Sequence, residues 1–298
     1  MKHTNGVVAF LIFVATTSAG LVGPARADST LALAPQPWRP PPLKEGQHFV
    51  IDPVADGAVV VGAASVAGLL ELVISTNELQ AQPPGPVSNL LSIDRLAVTQ
   101  HIDPDAALYS NVGLYSAAGF AVLDTFLSGG RNGWDAALVD GIMYAESVAL
   151  TLTLTSFSKI AVRRARPVAY KNCMVGGTQS ASTCTSTDLE LSFFSGHAST
   201  VSAIGATATY LAFERAGSAK ARPWITLAAS VALTSFVSVA RVRAGEHFPT
   251  DVLAGALTGA TIGILVPHLH RHIQEPARVL IGFAPARGGG SLTAGAVF

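Results

Sequence analysis

Six long apolar stretches, at 54–75, 107–127, 135–158, 197–213, 223–240 and 251–266, set the narrowest limits on what this 298-residue chain can become. Each is long enough for a helix of five turns or so, and strands of this length are rare. Gly and Pro clusters punctuate them: QPPGP at 82–86, LSGGRNG at 127–133, and Pro223. The residues between 54 and 275 are therefore expected to form a single all-α domain, a bundle of about six helices. The composition agrees: 49% of residues are hydrophobic, 7% are aromatic, and Gly is abundant, which suits closely packed helices. After residue 275 the pattern changes. VLIGFAP, a glycine-rich ARGGG and SLTAGAVF read as a short C-terminal β-hairpin or a loose tail over 276–298, to which no chemistry is assigned.

The N-terminus carries an export pattern. Lys2 and His3 precede an apolar run from Val7 to Val22, and Ala25-Arg26-Ala27 offers an A-x-A cleavage site. Residues 1–27 are expected to be a signal peptide, and the Pro-rich segment 28–53 a linker or a strap over the surface. The two cysteines, Cys173 and Cys184, lie in a polar stretch; in an oxidising compartment they would close a disulfide loop. A net charge of zero gives no electrostatic case for nucleic acid. The apolar stretches approach bilayer-spanning length, but Glu71, Asp124, Asp140 and Glu146 interrupt them, and buried acids in lipid are costly. An exported helical domain, periplasmic or in the cell envelope and able to lie against a membrane surface, is the favoured expectation. A multi-pass inner membrane protein is the alternative, and the net basic connection at 214–222 is the kind of loop that stays cytoplasmic.

Chemistry is concentrated in three clusters. In the first, KIAVRRARP, Lys159 and Arg166 stand seven residues apart, so on a continuous helix they would share one face and grip an anion. In the second, FFSGH, Ser195, Gly196 and His197 precede a helix whose first amides are unpaired and attract anions. In the third, RVRAGEHFPTD, His247 and Asp251 are four apart. On a helical turn the carboxylate would fix the imidazole tautomer, with Arg241 reaching phosphoryl oxygens. A cationic cradle with two imidazoles supplies what phosphoryl transfer needs, positioning and charge stabilisation, without a metal.

These motifs resemble those of the type 2 phosphatidic acid phosphatase superfamily, which includes bacterial acid phosphatases and vanadium haloperoxidases. The superfamily pattern is KxxxxxxRP, PSGH and SRxxxxxHxxxD; here Phe194 and Ala240 stand where proline and serine are usual. The resemblance spans about residues 135–266 and implies a helical-bundle phosphatase. It further implies His247 as nucleophile forming a phosphohistidine, Asp251 orienting it, and His197 as acid and base. Lys159, Arg166, Ser195, Gly196 and Arg241 would bind phosphate. The expected substrate is a phosphorylated lipid or small molecule, with no cofactor and no metal. Vanadate enters only under a haloperoxidase alternative, and a non-catalytic anion-binding envelope protein is the third reading. His268, His270 and His272 are read as a polar helix end, and His101–Asp105 as a surface turn.

Overall fold

The computed structural model describes residues 49–76, 79, 84–173 and 186–271, and the backbone of 278–286 and 289–297. In chain order the elements are α1 (Pro53–Ser75), α2 (Ser92–Thr99), α3 (Ala106–Asn132), α4 (Trp134–Val162), α5 (Pro167–Asn172), α6 (Gly196–Ala216), α7 (Ala221–Arg243) and α8 (Pro249–Leu269). Strands β1 (Arg278–Ala286) and β2 (Gly289–Val297) follow as an antiparallel hairpin, with Arg278 opposite Val297 and Ala286 opposite Gly289. The six long helices are those the apolar stretches define. The short α2 and α5 are additions that no apolar run announces.

Local chemistry sets the helix ends. The Asp52 carboxylate accepts from the amides of Val54 and Ala55 at 3.0 and 3.2 Å, and Pro53 starts α1, where its missing N–H costs nothing. A single residue, Gly133 at φ +91°, turns α3 into α4. The expected leader at 1–27 lies outside the described residues. The strap before α1 is visible only at its end: Phe49 is buried in the core, and the Val50 amide donates to the His270 carbonyl at 2.9 Å.

α6 is the hub, packed against α3, α4, α7 and α8, and its closest partner is α8. Gly255, Gly259 and Gly263 recur every four residues and so line one face of α8. A Cβ on Gly259 would sit 1.9 Å from the Ser199 carbonyl oxygen, and one on Gly255 2.6 Å from that of Ser195. The two backbones therefore touch, as in small-residue helix pairs of membranes. This contact brings the start of α8 to the start of α6, where the Ser195 amide donates to the Asp251 carbonyl at 3.2 Å.

Beside its apolar core the bundle buries many polar side chains, and it exposes many large apolar ones. Leu69, Tyr115, Phe126, Ile225 and Leu257 are among many large side chains that are exposed. Five segments (α1, α3, the stretch Trp134–Asn172, α7 and α8) are long and apolar enough to cross a membrane, by length and composition. Two of the four acids that argued against a membrane, Asp124 and Asp140, are internal and partnered. Asp124 accepts from Tyr144 Oη and Arg222 Nη2, both at 3.0 Å; Asp140 accepts from Ser128 Oγ at 2.5 Å and pairs with Arg215. An outer face of this kind belongs against lipid. Of the two expectations for location, the multi-pass membrane protein is the one this surface fits.

Candidate active site

The Lys159–Arg166 cluster does not form one helical face. α4 stops at Val162, Arg163 caps it in the left-handed conformation at φ 50°, and Arg166 is extended as the residue that starts α5. Pro167 takes the first position of α5, where its missing N–H costs nothing. Lys159 and Arg166 are brought together by this turn, and the seven-residue spacing is not their cause. Arg166 is buried and held on three sides. Its Nε donates to the Asp188 carbonyl at 2.7 Å, Nη2 to Asp188 Oδ1 at 2.5 Å, and Nη1 pairs with the Glu246 carboxylate. Arg163 turns away to Glu190 at 3.0 Å.

Ser195 caps α6 as expected, its hydroxyl accepting from the Ala198 amide at 3.4 Å. Gly196 and His197 fill the first turn, where amides lack helical partners. His197 Nε2 meets Asn111 Oδ1 at 2.7 Å. An amide oxygen only accepts, so Nε2 carries the proton and Nδ1 is the nitrogen that titrates.

Arg241 occupies the last turn of α7, with Nη2 at 3.3 Å from Glu246 Oε2 and Nη1 at 3.4 Å from Ser110 Oγ. Gly245, at φ +72°, then reverses the chain so that His247 folds back under the bundle end. His247 is 2% exposed, and its Nδ1 donates to the Ser192 carbonyl at 2.7 Å. A carbonyl cannot donate, so the tautomer is fixed with the lone pair on Nε2. Burial pushes the His247 pKa well below the ordinary histidine value, helped by the positive charges of Arg166, Arg241 and Lys159. The same three cations act electrostatically on His197, so both imidazoles face one positive cradle.

Asp251 departs from its expected role. Among the described residues it has no hydrogen bond to His247. Its Oδ2 instead accepts from the Phe248 amide at 2.9 Å and from Ser192 Oγ at 2.5 Å, while Oδ1 pairs with Arg164. Arg164 also reaches Asp94 Oδ2 at 2.7 Å and Thr250 Oγ1 at 2.8 Å, and lies 4.0 Å above the Phe248 ring. Asp94, fully buried, accepts from the amide and hydroxyl of Thr250 at 3.1 and 2.7 Å. The carboxylate thus locks the start of α8 and the Ser192 turn, and His247 hangs from that frame.

Seven residues of this site escape a motif reading: Asp94, Ser110, Asn111, Arg164, Asp188, Ser192 and Glu246. Most come from separate elements, α2, α3 and the turn at Thr187–Glu190, whose approach the chain order does not reveal. Glu246 adjoins His247 in sequence and was the one signal available, a carboxylate inside a cationic motif. Cys173 is disulfide-bonded, and Cys184 lies outside the described residues. The donor set of the cradle is cationic, which suits an oxyanion of phosphate or vanadate shape and repels metal cations.

Residues 140–275 match the model of the PAP2 superfamily, and all three motifs fall inside that span. Among solved structures, one described as the first transmembrane PAP2 type phosphatidylglycerolphosphate phosphatase, from Bacillus subtilis, is 18% identical; the match covers 72% of this chain and 94% of that one at a TM-score of 0.42. No curated protein matches the sequence.

Proposed function

We propose that this protein is a membrane-embedded, metal-independent phosphatase that cleaves a phosphate monoester by way of a phosphohistidine. The observation that carries the reading is the shared field of Lys159, Arg166 and Arg241 on two imidazoles, one of which has its tautomer fixed. His247 Nε2 attacks phosphorus in line and the P–O bond to the alcohol breaks; the negative charge of the bound phosphate offsets the burial and cations that lower the His197 pKa to about 3, so an imidazolium forms there and protonates the leaving oxygen from Nδ1. His197, now neutral, takes a proton from water, whose oxygen attacks the phosphohistidine and releases inorganic phosphate and free His247. The three cations, with the first-turn amides of α6, hold the non-bridging oxygens as charge develops. Asp251 serves as a positioning group.

Two observations support a lipid as the substrate. The outer surface is that of a protein in a bilayer, and an apolar groove of about 570 Å³ runs between α6, α7 and α8, lined by Ser202, Leu227, Val231 and Ile264. The groove residue nearest to His197 along α6 is Ser202, five positions on, and the apolar lining suits an acyl chain. Two further observations support a site that opens outside the cytoplasm. Cys173, at the end of α5, is disulfide-bonded, and at the opposite end the connection between α6 and α7 carries Lys220, flanked by Arg215 in the last turn of α6 and Arg222 in the first turn of α7.

The test is release of phosphate from phosphatidic acid and from p-nitrophenyl phosphate in EDTA, by wild type and His247→Ala. Turnover by wild type alone, with the lipid preferred, supports the proposal. Equal rates in both proteins remove His247 as nucleophile, and a preference for the soluble ester removes the lipid.

A further inference from the structure

At the other end of the bundle lies a second cluster that phosphate chemistry does not use. His270 caps the end of α8, Asp56 stands in the first turn of α1, and Glu146 projects from the middle of α4. His270 Nε2 is 3.3 Å from Asp56 Oδ1 and 3.4 Å from Glu146 Oε2, and the three ligand atoms lie within 4.8 Å of one another. Glu146 precedes Lys159 by thirteen residues, which the helical rise converts to about 20 Å. The cluster is therefore remote from the cradle.

Two of the three groups, His270 and Asp56, are aimed inward by a partner on the far side. His270 Nδ1 donates to the Val266 carbonyl at 2.8 Å, so in the neutral ring the lone pair on Nε2 points at the two carboxylates. The Asp52 amide holds Asp56 Oδ2 at 2.7 Å and turns Oδ1 toward the imidazole. Glu146 is 7% exposed, and its Oε2 has no hydrogen-bond partner. Asp124 and Asp140 have arginines; among the described residues neither Asp56 nor Glu146 pairs with a lysine or arginine. Two carboxylates and an imidazole lone pair facing one another repel unless a cation lies between them, and even a protonated His270 leaves the set negative.

We propose that Asp56, Glu146 and His270 bind a divalent transition-metal ion that staples α1, α4 and α8 together. The spacing agrees with a small tetrahedral ion: bonds of about 2.1 Å separate ligand atoms by about 3.4 Å. An imidazole with two carboxylates suits Zn²⁺ or Mn²⁺, whereas Mg²⁺ and Ca²⁺ favour oxygen alone. The backbone bond at Nδ1 is the outer-shell contact that metal-binding histidines usually make. The role is structural, because the ion sits far from the cradle and α1 otherwise packs mainly on α4.

The experiment uses untagged full-length protein in detergent, stripped with chelator and dialysed against Zn²⁺, with bound metal measured by elemental analysis and unfolding followed thermally. Wild type should retain one Zn²⁺ per chain and melt higher with it. Glu146→Gln and Asp56→Asn should weaken binding by more than the about 10–100-fold typical of losing an outer-shell contact. His268→Ala, a nearby histidine bonded to Tyr210, should bind like wild type. Substituting Co²⁺ adds a second readout, with visible ligand-field bands in wild type that vanish in Glu146→Gln. Circular dichroism establishes that the variants are folded. Equal Zn²⁺ retention in all the proteins would mean adventitious binding, and no retention in wild type would mean an imidazolium–carboxylate pair; either result overturns the proposal. Phosphatase activity is not read, so failure here leaves the catalytic reading untouched.

Discussion

The Nδ1–H of His247 donates to the carbonyl oxygen of Ser192 at 2.7 Å, across 55 residues of chain. The Ser192 hydroxyl in turn donates to Asp251, whose carboxylate also takes the Phe248 amide and the Arg164 guanidinium. The proposed nucleophile is thus oriented by main chain, and the carboxylate acts one step removed.

That arrangement separates two mutations. Ser192→Ala keeps the carbonyl, so kcat should fall only about tenfold, in the range of one lost hydrogen bond of ~1.4 kcal/mol. Asp251→Ala leaves the half-buried Arg164 guanidinium short of a partner and strands the buried Ser192 hydroxyl and Phe248 amide. Thermal unfolding in detergent should show a loss of about 3 kcal/mol, as for broken buried ion pairs, alongside a larger fall in kcat. A direct Asp251–His247 couple would instead give full loss of activity at unchanged stability.

His247 should stay neutral well into acid. Burial and three cations lower its folded pKa, while the unfolded chain titrates near 6.5. Below that value the unfolded state binds the extra proton, so this group's contribution destabilises the fold as pH falls and vanishes above it. Histidine-labelled NMR, with the signal assigned by its absence in His247→Asn, should show a midpoint clearly under 6.5. A midpoint at or above 6.5 would contradict the cationic cradle.

Glu246 bridges Arg166 and Arg241 and so holds the place of an anion. Glu246→Gln should free both guanidiniums and tighten inhibition by vanadate about 3- to 10-fold, the size expected of a partly exposed ion pair. Unchanged or weaker inhibition would show that the carboxylate shapes the cradle without competing for it.

The glycine stripe of α8 predicts a position-specific cost. Gly259→Ala places a methyl within 1.9 Å of the Ser199 carbonyl and should destabilise by about 2–3 kcal/mol, as overpacking does. Gly57→Ala in α1 meets no atom within 4 Å and should be neutral or slightly stabilising, through helix propensity. Melting curves of the two variants check both statements.

The six long helices were legible because apolar length and glycine–proline punctuation are local signals. The cradle residues were legible as a motif, but the geometry behind them was not. The spacing of Lys159 and Arg166 suggested one helix face, whereas a left-handed Arg163 breaks the helix between them. The His247–Asp251 spacing suggested a bond that the chain uses to fix Phe248 and Ser192. Glu146 read as an obstacle to a membrane; its meaning depends on Asp56 and His270, which lie 90 and 124 residues away along the chain. In each case the missing information was tertiary, the approach of elements distant in sequence. The outward apolar face was equally invisible, since a stretch that is apolar all round is buried by protein or by lipid alike.

The most direct measurement of the catalytic claim is alkaline rapid quench with ³²P-labelled phosphatidic acid, followed by peptide mapping. Label should appear on His247, be absent in His247→Ala, and persist longer in His197→Ala, where hydrolysis of the phosphohistidine lacks its base. Turnover without protein-bound label, or label on any other residue, would contradict the account.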